Sequence, residues 1–175
     1  MLNNNKMKFI EKNLEDIIFE SNRLELIKRG LDVRGKMLRQ LKIGNYGTAD
    51  LVTIQKPYFY PKTEWTNPHH NSSFLVTIYE LKKEKIGILA FLQAIRYAKG
   101  IKSWFEKSKY YGDYSVDLKI VLIGNEIEKD SVFSYIPDIF ETQGERSVEL
   151  FLYQYKIDGI HFENNSSWVL TNEGF

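Results

Sequence analysis

Residues 74–83 read Phe-Leu-Val-Thr-Ile-Tyr-Glu-Leu-Lys-Lys. β-Branched and aromatic side chains fill the run, so it reads as the central strand of a sheet. Alternation puts Val76, Ile78, Glu80 and Lys82 on one face and Leu75, Thr77, Tyr79 and Leu81 on the other. A mostly apolar strand therefore ends in two opposite charges on the same side. Residues 48–55, Thr-Ala-Asp-Leu-Val-Thr-Ile-Gln, read as the preceding strand, interrupted by Asp50. Strand propensity disfavours an aspartate there. If the two strands pair, Asp50, Glu80 and Lys82 converge on one spot. Two carboxylates can hold a hard cation, and an ammonium can hold or activate a water. A plain ion pair between Glu80 and Lys82 is the bland alternative, but it does not explain Asp50 in register beside it.

The rest of the chain is arranged around these strands. Residues 8–29 carry Phe9, Leu14, Ile17, Ile18, Leu24 and Ile27 at helical spacing, with Asn13 or Ser21-Asn22 as candidate breaks. Glu11 and Glu15 share one face of that helix, from which either could reach the cation through water; otherwise both are surface carboxylates pairing with Lys8, Lys12 or neighbours. Residues 37–44 read as a strand, and Asn45-Tyr46-Gly47 as a hairpin turn. Residues 56–73 hold three of the four prolines and fit no regular element. They read as an aromatic loop covering the sheet edge, with Lys56 and Lys62 beside rings able to stack on bases. His69-His70 could ligate a metal but lacks a third ligand at helical spacing, so the covering loop is the reading kept. Residues 86–107 predict the longest helix, with Gln93 and Tyr97 one above the other and Ala90 and Ala94 permitting close approach to the sheet. A strand over 116–124, a helix over about 130–141 and a strand over 148–162 follow, with residues 164–175 as an edge strand or tail.

Asp50 … Glu80-Leu81-Lys82 resembles the D…(D/E)-x-K core of the PD-(D/E)XK nuclease superfamily. Three flanking stretches add to the resemblance. Residues 9–20 are similar to the superfamily's first helix, Gly47-Thr48-Ala49-Asp50-Leu51-Val52 to its G-x-x-D strand, and Gln93-Ala94-Ile95-Arg96-Tyr97 to the Q-x-x-x-Y element of the RecB-like and NucS-like branches. The match covers residues 9 to 100, and residues 56–73 depart from the pattern. The resemblance implies an α/β fold, a restriction-endonuclease-like mixed sheet flanked by helices in the order α-β-β-β-α-β. It implies one domain over 1–175, with a core of about 9–125 and a C-terminal extension of the sheet over 126–175.

The resemblance further implies a nuclease that hydrolyses DNA phosphodiester bonds with Mg²⁺ or Mn²⁺. Asp50, Glu80 and the backbone carbonyl of Leu81 would bind the metal, with Glu11 as an outer ligand. Lys82 would orient or help deprotonate the water, and Gln93 and Tyr97 would position substrate. Lys83, Lys85, Arg96, Lys99 and Lys102 would grip phosphates. RNA is an alternative substrate, and a catalytically silent nucleic-acid-binding or accessory subunit is the alternative role. Cutting both strands of a duplex needs two active sites, which a homodimer supplies.

The formal net charge of +1 conceals an uneven distribution. Residues 1–48 hold ten Lys/Arg against six Asp/Glu, residues 81–110 eight against two, and residues 111–175 four against twelve. Basic segments therefore flank the candidate carboxylates, as a polyanion substrate requires. The absence of cysteine excludes disulfides, thiolate catalysis and thiolate zinc sites. No apolar run reaches the roughly 18 residues of a membrane span, and the N-terminus lacks a signal-peptide core, so the expected location is cytoplasmic.

Overall fold

The computed structural model describes residues 11–56, 73–108, 115–128, 133, 136, 141–142 and 145–166. Helices α1 (Glu11–Glu20) and α2 (Arg23–Lys28) lead into β1 (Lys36–Lys42), a 3₁₀ turn (Gly44–Tyr46) and β2 (Thr48–Gln55). Strand β3 (Ser73–Leu81), the two-residue β4 (Lys85–Ile86), α3 (Ile88–Ser108) and β5 (Ser115–Gly124) follow. The short strands β6 (Glu126–Ile127), β7 (Glu141–Thr142) and β8 (Glu145–Arg146) precede β9 (Val148–Lys156) and β10 (Gly159–Asn164). The protein is mixed α/β, with one six-stranded sheet ordered β1-β2-β3-β5-β9-β10. Strands β1, β2 and β3 pair antiparallel, β3, β5 and β9 pair parallel, and β10 returns antiparallel on β9.

Each sheet face buries its own core. Leu14 and Ile18 of α1, Leu26 of α2 and Leu31 pack with Leu51, Tyr79, Leu81, Val121, Ile123 and Phe151. On the other face, Phe91, Ala94, Tyr97 and Ile101 of α3 pack with Val76, Ile78, Ile120, Leu122 and Leu150. The alternation expected for residues 76–81 is thus the one observed: even positions face α3, and Tyr79 and Leu81 face α1. Small residues let α3 approach closely. A Cβ on Gly100 would lie 2.5 Å from Ile43 Cγ2 and 2.7 Å from the Tyr46 ring.

Several expected boundaries need correction. The first helix breaks at Ser21-Asn22 and runs through Asn13. Asn22 Oδ1 accepts from Glu25 N–H at 3.0 Å while Glu25 Oε2 accepts from Asn22 N–H at 3.3 Å, a reciprocal cap that starts α2. The central strand ends at Leu81, and the last rung of its parallel ladder to β5 is Lys82 N–H donating to Ile123 O at 2.8 Å. Residues 85–86 pair with β6 and do not open the long helix. The single strand expected over 148–162 is two strands, since Gly159 adopts φ +125° and reverses the chain. The expected loop over 56–73 gives up Ser73 to β3, and its residues 57–72 with His69-His70, the segment 109–114, most of the expected helix over 130–141 and residues 167–175 lie outside the described residues. Among the described residues no helix is long and apolar enough to cross a membrane.

Candidate active site

The strand ladder brings Asp50 and Glu80 together. Leu51 pairs with Tyr79, so one further step in the same register sets Asp50 opposite Glu80. The recorded pairing stops at that step, and the Asp50 carboxylate takes over. Its Oδ2 accepts the Leu81 N–H at 3.0 Å, in place of a strand carbonyl. Leu81 itself buries its side chain on the α1 face, between the two charged residues in sequence. Glu80 is fully buried, at 0% exposure, and its Oε1 accepts from Lys82 Nζ at 2.7 Å. Its other oxygen, Oε2, is buried with no hydrogen-bond partner. An unmatched carboxylate oxygen in the interior is costly, and it calls for a proton or for a partner from outside the chain.

The charges follow from this packing. Burial first, then the neighbouring Asp50, pushes the Glu80 carboxyl up to about 7 against the opposing Lys82 hydrogen bond. Burial likewise raises Asp50; the Leu81 N–H opposes the rise and Glu11 adds to it. Burial works against the charge on Lys82, but the hydrogen bond and charge of Glu80, with Glu11 and Asp50, outweigh it and raise its pKa. Lys82 is therefore a persistent ammonium.

Glu11 sits at the rim, where its Oε2 accepts from Lys83 N–H at 3.4 Å, a long contact. The reading of Glu15 as a surface carboxylate is overturned: it is 6% exposed and ion-paired to Arg39. Arg39 also pairs with Asp16, and Gln40 Nε2 donates to Glu15 Oε2 at 2.7 Å. These contacts fasten α1, and with it Glu11, to β1. Gln40 stands across the ladder from Asp50, because Arg39 pairs with Leu51 and Leu41 with Ala49. It adopts φ +49°, the left-handed region that costs a non-glycine residue of order 1 kcal/mol or more. The kink switches Leu41 and Ala49 to the α3 core while Leu51 stays on the α1 side. The sequence reading missed Arg39 and Gln40; two polar residues in the middle of a half-buried strand were the available signal.

Gln93 and Tyr97 form a unit of their own, with Gln93 Nε2 donating to Tyr97 OH at 2.7 Å. Tyr97 is 2% exposed and packs on Gly47, three residues before Asp50. Among the described residues no hydrogen bond joins this pair to Asp50, Glu80 or Lys82. Gly47 has φ +111° and ψ −157°, and a Cβ there would lie 2.9 Å from Tyr97 Cε1 and 3.1 Å from Arg96 Nη2. Gly47→Ala is expected to cost about 2 kcal/mol, read as a lower urea midpoint, because both the backbone and the space exclude a side chain. A midpoint equal to wild type would contradict this account of the turn. Of the expected phosphate-gripping residues, Arg96, Lys99 and Lys102 are exposed along α3, with Arg96 5.7 Å from the Tyr97 ring centre. Lys83 and Lys85 have acidic neighbours instead, Glu84 at 3.7 Å and Glu126 at 3.5 Å.

A small hard cation fits these donors. Among the described residues no group of three His, Cys, Asp or Glu side chains could hold a metal by itself. Mg²⁺ asks for only one or two carboxylates, with water and phosphate oxygens completing its shell. Asp50 and the free oxygen of Glu80 match that demand, whereas a zinc site needs more protein ligands than are gathered here. No protein-family model matches this chain, nor does any curated protein or solved structure.

Proposed function

We propose that the protein is a metal-dependent nuclease of the PD-(D/E)XK type that hydrolyses DNA phosphodiester bonds, acting as an endonuclease in repair, restriction or defence against mobile elements. One observation carries the reading: a fully buried glutamate, with one oxygen unpartnered, opposite a second carboxylate and bonded to a lysine. A structural ion pair needs neither the second carboxylate nor the orphan oxygen. The antiparallel β1-β2-β3 followed by α3 and the parallel β5 supports the restriction-endonuclease-like topology.

In this reading Asp50, Glu80 and the Leu81 carbonyl would hold Mg²⁺ or Mn²⁺, with Glu11 at the rim. When bound, the metal supplies Lewis-acid stabilisation of the phosphate and a more acidic water. The protein's own residues do the rest. Lys82 keeps its proton, so it orients the water and offsets the charge growing on the phosphate, and does not act as the base. Asp50 draws on the Leu81 N–H to stay in place while remaining partly exposed. Arg39 and Gln40 hold α1 and keep Glu11 within reach of Lys83. Gln93 and Tyr97 fix the approach of α3 to Gly47, and so support the site from behind.

One feature favours the second reading, a catalytically silent nucleic-acid-binding subunit. Asp50 and Glu80 each already accept one hydrogen bond within the chain, which suffices for a purely structural pair. Incubation with linear, circular, single-stranded and flapped DNA separates the two. The nuclease cuts at least one of these in Mg²⁺ or Mn²⁺ and stops in EDTA, while a binder holds DNA equally in chelator and cuts nothing. The same panel made of RNA tests the other substrate class. A homodimer would supply the two centres that double-strand cutting needs.

A further inference from the structure

A second basic feature lies away from Asp50 and Glu80. Lys28, Arg29 and Gly30 at the end of α2 face Gln154, Lys156 and His161 of the β9–β10 hairpin across a cleft of about 250 Å³. The cleft is built by backbone contacts. Phe162 N–H donates to Arg29 O at 2.7 Å, which lays the end of α2 along the outer edge of β10. Gly30, at φ +94°, permits this approach, since a Cβ there would lie 2.0 Å from Phe162 O. Gly159, at φ +125°, makes the hairpin turn beside the Arg29 guanidinium, whose atoms lie 3.7–3.8 Å from where a Cβ would stand. Asp158 holds His161 Nε2 at 3.0 Å and fixes the ring in the wall.

Cations outnumber carboxylates in this cleft. Among the described residues no carboxylate lies within ion-pair distance of Lys28, Arg29 or Lys156. Glu163 is the one carboxylate in the lining. Favourable placement of cations at a helix C-terminus accounts for Lys28 and Arg29, but not for Lys156 on β9. Residues 111–175 hold only four Lys/Arg against twelve Asp/Glu, and Lys119 among the four is paired with Glu149 at 2.8 Å. Lys156, whose nearest acidic influence is Asp158 in the hairpin turn, thus makes no ion pair among the described residues where two cations from the other end of the chain meet it. Three cations and the Gln154 amide against the single carboxylate of Glu163, around a small concavity, leave a net positive site that suits a tetrahedral oxyanion.

The cleft shares an edge of the sheet with the candidate site. Strands β3, β5 and β9 are parallel, so their C-terminal ends lie together, and Tyr153 OH donates to Lys83 O across that edge. Glu80 is level with Leu122, and Leu122 with Leu150, two strands over. Strand spacing and rise then put Gln154 and Lys156 roughly 20 Å from Glu80. A duplex advancing 3.4 Å per base pair spans that in about six base pairs.

We infer that the cleft of Lys28, Arg29, Gln154 and Lys156 is a phosphate-binding subsite that grips the DNA backbone about six base pairs from the bond held at Asp50 and Glu80. Its ligand rests on the nuclease reading; its geometry does not. The test is fluorescence anisotropy of a labelled 20-base-pair duplex in EDTA over a series of KCl concentrations. The variant is Lys28→Ala/Arg29→Ala/Lys156→Ala, with circular dichroism to confirm folding. Three phosphate contacts contribute about 2.7 to the slope of log K against log[salt], so the variant is expected to lose about that much slope and at least about ten-fold in affinity at 100 mM KCl. Lys28→Arg/Arg29→Lys/Lys156→Arg should keep the slope. A folded alanine variant with wild-type affinity and slope overturns the subsite, as does wild-type protein that binds no duplex. The two proposals fail separately. Cutting by a wild type whose cleft variant binds normally leaves the nuclease and removes the subsite. Binding lost in the cleft variant of a protein that cuts nothing leaves the subsite and removes the nuclease.

Discussion

Asp50→Asn is expected to lower DNA cutting on the order of 10³-fold while the protein stays folded with unchanged or slightly higher stability. The substitution is nearly isosteric, and the Asn oxygen still accepts the Leu81 N–H that Asp50 accepts at 3.0 Å. The structural role is therefore kept. What disappears is a negative charge beside Glu80, one of the causes that raise the Glu80 carboxyl. Removing it eases the electrostatic strain in the fold and withdraws half of the carboxylate pair that a cation needs. Activity and stability should then move independently, which a purely structural aspartate would not produce. Cutting rates and urea midpoints of the two proteins, measured side by side, decide it. Wild-type cutting by Asp50→Asn would remove Asp50 from the chemistry.

The second large effect is on stability against pH in the absence of divalent cations. Glu80 moves from an ordinary 4.5 to about 7 on folding, chiefly by burial and then by the charge of Asp50. A carboxyl with a raised folded-state pKa binds more protons folded than unfolded throughout that interval. Stability is therefore greatest at the acidic end of this window and falls as pH rises from 4.5 to 7. The full shift corresponds to roughly 3 kcal/mol. Asp50, also raised, acts in the same direction. Urea denaturation in EDTA across that range should show the decline, and Glu80→Gln should flatten it. A flat or rising profile in the wild type, unaltered in Glu80→Gln, would mean that Glu80 is not held near neutrality by its burial.

The parts of this site that could be read from the sequence are those set by alternation. Val76, Ile78 and Glu80 lie on one face because strand side chains alternate, and that alone predicts Glu80 among apolar neighbours. The spacing of Glu80 and Lys82 survives the end of the strand at Leu81, because a two-residue separation keeps the side chains on one side through the turn. The early end itself was illegible, since it is set by where the ladder to β5 closes, with Lys82 N–H on Ile123 O of another strand as its last rung. The kink at Gln40 left no mark in composition: a non-glycine residue at positive φ is imposed by the surroundings, here Glu15 and the row through Asp50. Arg39 and Glu15 find each other across 24 residues, which no local pattern specifies. The division of residues 148–162 was legible and was missed. Asp158-Gly159 is a hairpin signal, but alternation on both sides of it mimics one continuous strand. Glu15 was misread for a different reason: its helical position fixes which face it occupies, not whether an arginine waits there.

The most direct measurement is cutting of the same DNA panel by wild type and Lys82→Ala, each with Mg²⁺ and with EDTA. Lys82 donates to a buried carboxylate at 2.7 Å and remains cationic, so its loss should abolish metal-dependent cutting while DNA binding in EDTA persists. Cutting by wild type in Mg²⁺ alone, lost in folded Lys82→Ala, is the predicted result. Folded wild-type protein that cuts no DNA in either condition, or Lys82→Ala that cuts as well as wild type, would contradict a nuclease centre built on Asp50, Glu80 and Lys82.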